Sequence, residues 1–272
     1  MIPILVVFFC FGLIIGSFLN AVLWRMKEGI GLGGRSMCPK CRKKIAWYDN
    51  VPVISFFALG GKCRHCRKKI SWRYPTVEVV TAVLYLLIGQ SFFQPFDTLS
   101  WVLTAYYLVI VPVLLLIFLY DFDTMTIPDI LLWIGVGWSL LLFLSLDALR
   151  FQPAVNIFSL RLYSGIAAGL GAFLPLFLLS ALSRERWMGL GDGFLAFLLG
   201  LVLGFPNILF GMTLGFCLGA VWGVGLIMLG KKEMKSRMPL GPFLIAGALS
   251  ILFLSAWSPN WFAPWFFVGI PW

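Results

Sequence analysis

Charged residues are scarce in this sequence, at 12% of its 272 positions, whereas 61% of the positions are apolar. A soluble domain is closer to half apolar and a quarter charged. Because surface-to-volume scaling limits how large a soluble core can become, the excess of apolar residues predicts surface that faces lipid. The composition therefore excludes an ordinary soluble protein and favours a membrane protein with one small polar segment.

Histidine is nearly absent, since His65 is the single histidine of the chain. A Ser-His-Asp triad needs a histidine beside its nucleophile, and His65 instead stands between two cysteines. The HExxH motif of zinc proteases is missing, and so is a glycine-rich nucleotide fingerprint on a βαβ unit. These absences exclude a serine–histidine protease and leave a membrane zinc protease without support.

Long apolar runs are what the sequence has in abundance. About 20 apolar residues in a helix cross the roughly 30 Å hydrocarbon core of a bilayer. The pattern predicts an all-α membrane protein, a bundle of about eight transmembrane helices, with a polar insert between the first and second. The sixth span is short and is expected to begin nearer Met188, or to be broken or tilted. The predicted spans cover residues 2–23, 76–93, 101–120, 130–146, 158–182, 194–203, 208–229 and 240–257.

Basic residues are concentrated in the polar insert. Thirteen of the 21 lysines and arginines lie between Arg25 and Arg73, and with eight spans 19 of the 21 fall on one side of the membrane. The positive-inside rule places that side in the cytoplasm. The net charge of +10 is therefore attributed to topology and to contact with anionic membrane lipid, not to nucleic-acid binding.

Four cysteines form two CxxC pairs within the insert, Cys38 with Cys41 and Cys63 with Cys66. Each pair places two thiolates on a tight turn, and two such turns close a tetrahedron around zinc. A cytoplasmic location disfavours stable disulfides and favours metal. Similar basic runs follow the pairs, at 42–45 and 67–70, which predicts two related halves of a zinc ribbon.

Other roles for the cysteines stay open. A structural zinc that folds the loop is favoured over a catalytic zinc, because four thiolate ligands leave no open coordination position. A redox pair is one alternative, and replacement of one cysteine ligand by His65 is another. Cys10 and Cys217 fall within apolar spans and are expected to be small packing residues.

Two of the 11 acidic residues stand where apolar runs meet the predicted cytoplasmic face. Asp121 ends the third span, and Asp192 completes a Gly-Leu-Gly-Asp sequence at the entry of the sixth. An ionisable residue at such depth is costly and indicates function. Two carboxyl groups that share one proton can activate a water molecule and polarise a peptide carbonyl, which is the chemistry of aspartic proteases.

By themselves the two aspartates admit other interpretations. A GxGD sequence arises often in glycine-rich membrane chains, and isolated membrane acids also form proton or ion pathways. Asp123 competes with Asp121 for the same role, while Asp129 after Pro128 is typical of a helix start. A transporter whose aspartates carry protons and a non-catalytic assembly scaffold are therefore alternative functions.

Several sequence blocks, in one order from about residue 12 to residue 193, resemble the bacterial prepilin peptidases. The catalytic part of the resemblance is Asp121 followed by Ile127-Pro128-Asp129, and later the GxGD that ends in Asp192. The N-terminal part consists of Gly16-Ser17-Phe18-Leu19-Asn20 with Arg25, Gly34-Arg35-Ser36, the two cysteine pairs, Asn50-x-Pro52, and Arg73-Tyr74-Pro75-Thr76-Val77-Glu78.

This resemblance implies a membrane aspartic endopeptidase with Asp121 and Asp192 as its catalytic pair. Its substrates are then type IV prepilins or pseudopilins, cut after a glycine at the end of a basic leader. Family members with the cysteine loop also methylate the newly exposed N-terminal amine with S-adenosylmethionine, and the same activity is expected here. Gly34, Arg35 and Glu78 are candidates for the methyl-donor site because they lie in the matching blocks.

The resulting domain prediction has four regions. Residues 1–24 form a first transmembrane helix that lacks the basic start and cleavage site of a signal peptide. Residues 25–75 form the cytoplasmic zinc-ribbon loop, and residues 76–257 form the transmembrane peptidase core. The tryptophan-rich residues 258–272 form an aromatic interfacial tail. The interval between Asp121 and Asp192 is long for the family, and the excess is expected in an outer loop at 147–159.

Overall fold

The computed structural model describes residues 2–149, 161–185, 188–230 and 238–257, and within them the regular structure is helical, with one short 3₁₀ helix (Trp47–Asn50) and no β-strand. The predicted tail at 258–272 and most of the predicted outer loop at 147–159 lie outside these residues. The helices are α1 (Ile2–Glu28), α2 (Ile54–Ala58), α3 (Arg73–Phe92), α4 (Thr98–Thr124), α5 (Asp129–Leu149), α6 (Arg161–Leu182), α7 (Leu190–Leu203), α8 (Asn207–Met228) and α9 (Gly241–Trp257).

Eight of these helices correspond to the predicted spans, and α2 is a short addition in the polar insert. Among the described residues, six helices are long and apolar enough to cross a membrane, namely α1, α3, α4, α5, α6 and α8. Helices α7 and α9 are shorter, with 14 and 17 residues. The all-helical membrane fold with an insert between its first two spans is confirmed.

Helix α7 is bounded by a glycine at each end. Gly189 has an extended backbone before the helix, and Gly204 ends it at φ 67°, where the Gly204 N–H donates to the carbonyl of Gly200. A glycine adopts this left-handed conformation without the steric cost of a Cβ. At 1.5 Å per residue, α7 measures about 21 Å. The sequence analysis expected the sixth span to be short and offered a start nearer Met188 than residue 194, and the helix does begin at Leu190.

The chain folds as two compact units, Met1–Pro112 and Val113–Trp272. The division falls within α4, beside Pro112, which lacks the N–H that a helix interior uses. In the first unit α1 packs against α3. In the second unit α7 packs against α5, α6 and α9, and α8 packs against α9.

Glycines bring α1 and α3 into backbone contact. A Cβ at Gly12 would lie 2.6 Å from the Cα of Ala82, and a Cβ at Gly16 would lie 2.6 Å from the Cα of Glu78. Small residues of this kind allow membrane helices to approach closely, because lipid supplies no hydrophobic force between them. The contact fixes the end of α1, from which the polar insert begins.

The polar insert contains two matching halves, as the sequence predicts. In each half a Cys-x-x-Cys turn is closed by a backbone hydrogen bond and by one antiparallel bridge, and one arginine has a positive φ. The hydrogen bonds run from Cys38 N–H to Lys43 O and from Cys63 N–H to Lys68 O, both 3.0 Å. The bridges join Met37 to Lys44 and Lys62 to Lys69. The arginines are Arg42, at φ 54°, and Arg67, at φ 55°. The two halves therefore present their cysteines on turns of the same shape.

An ion pair ties the segment between the two halves to the second half. The Arg64 guanidinium donates to both carboxylate oxygens of Asp49, at 2.8 and 2.6 Å. This bidentate geometry is the strong form of a charge-assisted hydrogen bond. The hydrogen bonds from Arg64 hold the pKa of Asp49 below its usual range. Nearby, the rings of Phe56 and Trp72 lie 4.8 Å apart and form a small aromatic contact.

In the second unit, one face of α8 consists of glycines spaced four residues apart. Gly211, Gly215, Gly219 and Gly223 are all buried on this face. A Cβ at Gly215 would lie 2.9 Å from the Cα of Leu244 on α9. Helices α6 and α7 use the same type of contact, since a Cβ at Gly200 would lie 2.6 Å from the Cα of Gly169. These contacts determine where the starts of α7 and α9 lie.

The prediction that Cys10 and Cys217 pack inside the protein is wrong, because both are exposed on α1 and α8. Large apolar side chains are exposed on the same helices, among them Phe18 and Trp222. Lipid solvates apolar side chains as well as a protein core does, so an apolar sequence does not reveal which face of a membrane helix is inside.

The glycine face of α8 generates a test of stability. Gly215→Ala should destabilise the protein by about 1–3 kcal/mol, because the added methyl group overpacks the contact with α9. Gly225→Ala is the matched control on the same helix, since a Cβ there meets no atom within 4 Å. It should be neutral or stabilising, because alanine favours a helix over glycine. Thermal unfolding in detergent measures both, and equal melting temperatures would contradict this packing.

Candidate active site and metal centre

Asp121 lies in the last turn of α4. The helix ends just after it, because Met125 adopts φ 56° and its N–H donates to the Asp121 carbonyl at 2.8 Å. A left-handed residue in this position is a common helix terminator. Asp121 is buried, with 3% of its surface exposed, whereas Asp123 is exposed. Burial thus separates these two candidates, and Asp121 is the one held within the protein.

Asp192 lies in the first turn of α7, three residues after the N-cap Gly189. Its carboxylate accepts a hydrogen bond from the backbone N–H of Gly189. This is the reach-back contact of a capping box, with aspartate in the place of the usual glutamate. The preceding segment is anchored by Ser180, whose hydroxyl donates to the Met188 carbonyl at 3.0 Å. Asp192 is half-buried.

The second unit brings the two aspartates together. Their carboxyl groups are close enough for the charge of Asp121 to act on Asp192. The loop after α4 also reaches the GxGD segment, since a Cβ at Gly191 would lie 3.4 Å from the Cβ of Ile127. Two motifs that are far apart in the sequence therefore form one site.

The start of α9 completes this site, and the sequence analysis assigned it no role. A Cβ at Gly241 would lie 2.5 Å from Oδ2 of Asp121 and 3.2 Å from Cδ2 of Leu195 on α7. The Gly241 backbone N–H faces the Asp121 carboxyl group. The available signal was the Gly241-Pro242 pair before an apolar run, which is typical of a helix start.

One oxygen of Asp121, the buried Oδ2, forms no hydrogen bond to any residue that the structure describes. Buried polar atoms without a partner are rare and costly, so such an atom requires an explanation. An unpaired carboxyl oxygen beside a second carboxyl group can hold a proton or accept a hydrogen bond from water.

In the first unit, the structure gathers Cys38, Cys41, Cys63 and Cys66 into one cluster whose Sγ atoms all lie within 4.8 Å of one another. A tetrahedral zinc with Zn–S bonds of about 2.3 Å needs sulfurs roughly 3.8 Å apart. Cys38 and Cys66 are separated by 4.0 Å between Sγ atoms. His65 is not part of this cluster. The four thiols can therefore hold a metal ion with little rearrangement.

The surroundings of the thiols differ. The backbone N–H groups of Cys66 and, to a smaller extent, His65 lower the pKa of Cys63 to about 7. Burial raises the pKa of Cys38 to about 11. A bound metal requires all four cysteines as thiolates, so metal binding here is accompanied by proton release.

The three candidates for a methyl-donor site also lie in the first unit. Glu78 is buried and accepts a hydrogen bond from the Val53 N–H at 2.7 Å. Gly34 lines a cavity next to the end of α1. The Arg35 side chain does not line this cavity, and its guanidinium donates to the Ile45 carbonyl at 3.3 Å.

Two family profiles match the chain. Residues 10–92 match the bacterial peptidase A24 N-terminal domain, and residues 108–224 match the type IV leader peptidase family. The first match contains all four clustered cysteines, and the second contains both aspartates. No solved structure matches the chain.

Curated relatives match over almost the whole length. The prepilin leader peptidase/N-methyltransferase of Pseudomonas aeruginosa is 30% identical over 89% of this chain and 87% of its own. The protein of the same name from Aeromonas hydrophila is 30% identical over 90% and 89%. The type 4 prepilin-like proteins leader peptide-processing enzyme of Escherichia coli is 30% identical over 90% and 92%. The chain therefore belongs to the type IV leader peptidase family, a family of proteases, and carries the N-terminal domain of its bacterial members.

Proposed function

We propose that the protein is an aspartic endopeptidase of the bacterial inner membrane that removes the basic leader from type IV prepilins or pseudopilins, cutting after a glycine. The observation that carries this proposal is the meeting of Asp121 and Asp192, from two different helices, at the start of α9. The names of the relatives support the substrate class. The 13 basic residues between Arg25 and Arg73 support a cytoplasmic location for the polar insert.

The proposed reaction uses the two carboxyl groups as one acid and one base. Like charges at short range disfavour double ionisation, so the pair shares one proton. The ionised carboxylate takes a proton from water as the water oxygen bonds to the scissile carbonyl carbon, and the protonated partner donates to the carbonyl oxygen. The C–N bond then breaks, and the leaving amine takes a proton from the pair. The products are a free leader carboxylate and a new N-terminal amine.

We also propose that the protein methylates this new amine. S-adenosylmethionine, when bound, would supply an electrophilic methyl group to this amine, which would release one proton, with S-adenosylhomocysteine as the co-product. Two relatives are named as N-methyltransferases, and the matched N-terminal domain of this chain contains the four-cysteine cluster.

The four cysteines are proposed to hold a structural zinc. The Sγ atoms lie within 4.8 Å of one another, and each of the two matching turns contributes two thiols to the cluster. Zinc with four thiolate ligands has no position for a substrate, so its contribution here is to fold the insert. Zinc binding by short, loop-rich segments of this kind often replaces a hydrophobic core.

The catalytic assignment is tested by replacing each acid. Asp121→Asn and Asp192→Asn should each lower leader cleavage by about 10²–10⁴-fold, because an amide cannot exchange the shared proton. Asp123→Asn is the control, because Asp123 is exposed. This variant should cleave the leader at the wild-type rate. Mass spectrometry of a purified prepilin in detergent reports leader loss. Full cleavage by both variants would refute the aspartic mechanism and favour a scaffold or transport function.

The contact between α9 and Asp121 generates a second prediction. Gly241→Ala should lower cleavage by about 10- to 100-fold, because the added Cβ displaces the Asp121 carboxyl group from its position. Gly137→Ala on α5 is the control, because a Cβ there meets no atom within 4 Å. Initial cleavage rates at equal zinc content and equal melting temperature measure the effect. An unchanged rate in Gly241→Ala would mean that α9 does not position the catalytic pair.

The zinc proposal has an independent test by elemental analysis. The wild type should contain about one zinc ion per chain, and the double variant Cys63→Ser/Cys66→Ser should contain none, because only two ligands remain. The double variant Cys10→Ser/Cys217→Ser removes the same number of thiols outside the cluster and should keep its zinc. A folded Cys63→Ser/Cys66→Ser variant with unchanged zinc would disprove the site.

A further inference from the structure

A cavity of about 400 Å³ lies in the polar insert, where α2 meets the second of the two matching halves. Its apolar wall contains Phe56 and Phe57 on α2, together with Trp72. Lys62 and Lys69 also line it, and no acidic residue does so among those that the structure describes. The volume falls within the range of small-molecule sites, about 300–1,000 Å³. The cavity therefore offers positive charge beside an aromatic surface.

The two lysines of the cavity face each other across the antiparallel bridge of the second half. Side chains directly opposite in such a pair have Cβ atoms about 5 Å apart on one face, and like charges there are destabilising. Among the described residues neither lysine forms an ion pair, and Asp49, the single acid of residues 29–72, binds Arg64 instead. An anion between the two ammonium groups would relieve this repulsion.

The first half of the insert lacks this lysine pair, although its turn has the same shape. There the bridge joins Met37 to Lys44, so only one of the two facing positions carries a charge. The same backbone thus forms with a neutral residue in the place of Lys62, and the turn itself does not require two lysines. This difference between otherwise matching halves indicates that the pair in the second half serves a ligand.

The aromatic wall lies where a membrane-spanning helix begins. Trp72 directly precedes α3, whose 20 residues measure about 30 Å, the thickness of the hydrocarbon layer. Tryptophan at such a helix end is typical of the membrane–water interface.

The aromatic side chains of this wall form one exposed cluster. The Trp72 ring lies 4.8 Å from that of Phe56 and 6.0 Å from that of Phe57, measured between ring centroids. Trp72 and Phe57 are 66% and 62% exposed. Exposed apolar clusters rimmed by polar residues mark surfaces that bind a membrane or a partner. Because this cluster adjoins the start of α3, the membrane surface is the occupant within reach.

We propose that this cavity binds the headgroup of an anionic phospholipid and so docks the polar insert on the membrane surface. The lipid phosphate lies between Lys62 and Lys69, and the glycerol and first acyl carbons contact Trp72. An inorganic anion would leave the aromatic wall in water, and a basic leader peptide would be repelled by the lysines. Lipid binding here requires neither the aspartate pair nor methyl transfer, so it stands or falls apart from the proposed function.

The affinity for phosphatidylglycerol tests the lysine pair. The full-length protein in mild detergent is titrated with this lipid, and native mass spectrometry counts the bound molecules. Lys62→Gln/Lys69→Gln should bind the first lipid about 30-fold more weakly, because two lysines beside an anionic headgroup are lost. Lys43→Gln/Lys44→Gln removes the same charge from the first half, where both side chains are exposed, and should bind like the wild type. Equal weakening in both variants would mean a diffuse effect of net charge and would overturn the site.

The aromatic wall and the headgroup have separate tests. Trp72→Ala should weaken phosphatidylglycerol binding by about 10-fold, the effect of losing a partly buried apolar side chain. Trp47→Ala is its control, because Trp47 is exposed on the insert outside the cavity, and it should bind like the wild type. If the lysine variant loses its zinc or melts early, this tryptophan pair decides the result.

The choice of lipid distinguishes the sources of phosphate. Phosphatidylcholine, whose headgroup has no net charge, should bind the wild type about 10-fold more weakly than phosphatidylglycerol. Equal binding of the two lipids would overturn recognition of an anionic headgroup. Inorganic phosphate should not displace the bound lipid, and displacement at equal concentration would make this a site for a free anion and overturn the docking of the insert.

Discussion

Close approach of helix backbones is the constraint on which this protein depends. Helices in lipid gain no hydrophobic free energy from burying apolar side chains against each other. They associate instead through close packing at small residues. Gly16 brings the Cα of Glu78 next to α1, and Gly200 brings α7 against Gly169. Glycine contacts therefore position helices in both units. In the first unit they bring Glu78 within hydrogen-bond distance of Ser17, and in the second they fix the position of the helix that carries Asp192.

The candidate active site lies where three helix ends meet. The end of α4 carries Asp121, the start of α7 carries Asp192, and the start of α9 presents Gly241. Helix ends leave backbone N–H and carbonyl groups without intrahelical partners. A peptide substrate has to be extended to be cut, and its own backbone groups then also lack partners. The free backbone groups at a junction of helix ends can form hydrogen bonds with such a substrate within the membrane. The middle of a helix cannot, because its backbone groups are already paired.

Features that depend on local sequence were predicted well, and features that depend on distant contacts were not. Apolar length predicted the spans, and cysteine spacing predicted the cluster. Motif order selected Asp121 and Asp192, which the structure brings together, and their catalytic role stays a prediction. Gly241 was missed because its importance comes from a contact with a residue 120 positions earlier. The start of α7 near Met188 could be given only as one alternative, because glycine has a low helix propensity, which packing against α6 outweighs here. The hydrogen bond from the Val53 N–H to Glu78 likewise joins residues 25 positions apart, which no local pattern predicts.

The short length of α7 has a consequence for the surrounding bilayer. Its 14 residues span about 21 Å, against a hydrocarbon layer of about 30 Å. Hydrophobic mismatch of this size is relieved when the lipid layer thins or when water enters beside the helix end. In the proposed mechanism, either response would wet the end of α7 that carries Asp192 and so deliver the water that hydrolysis consumes. The thickness of the host membrane would then be a determinant of the cleavage rate.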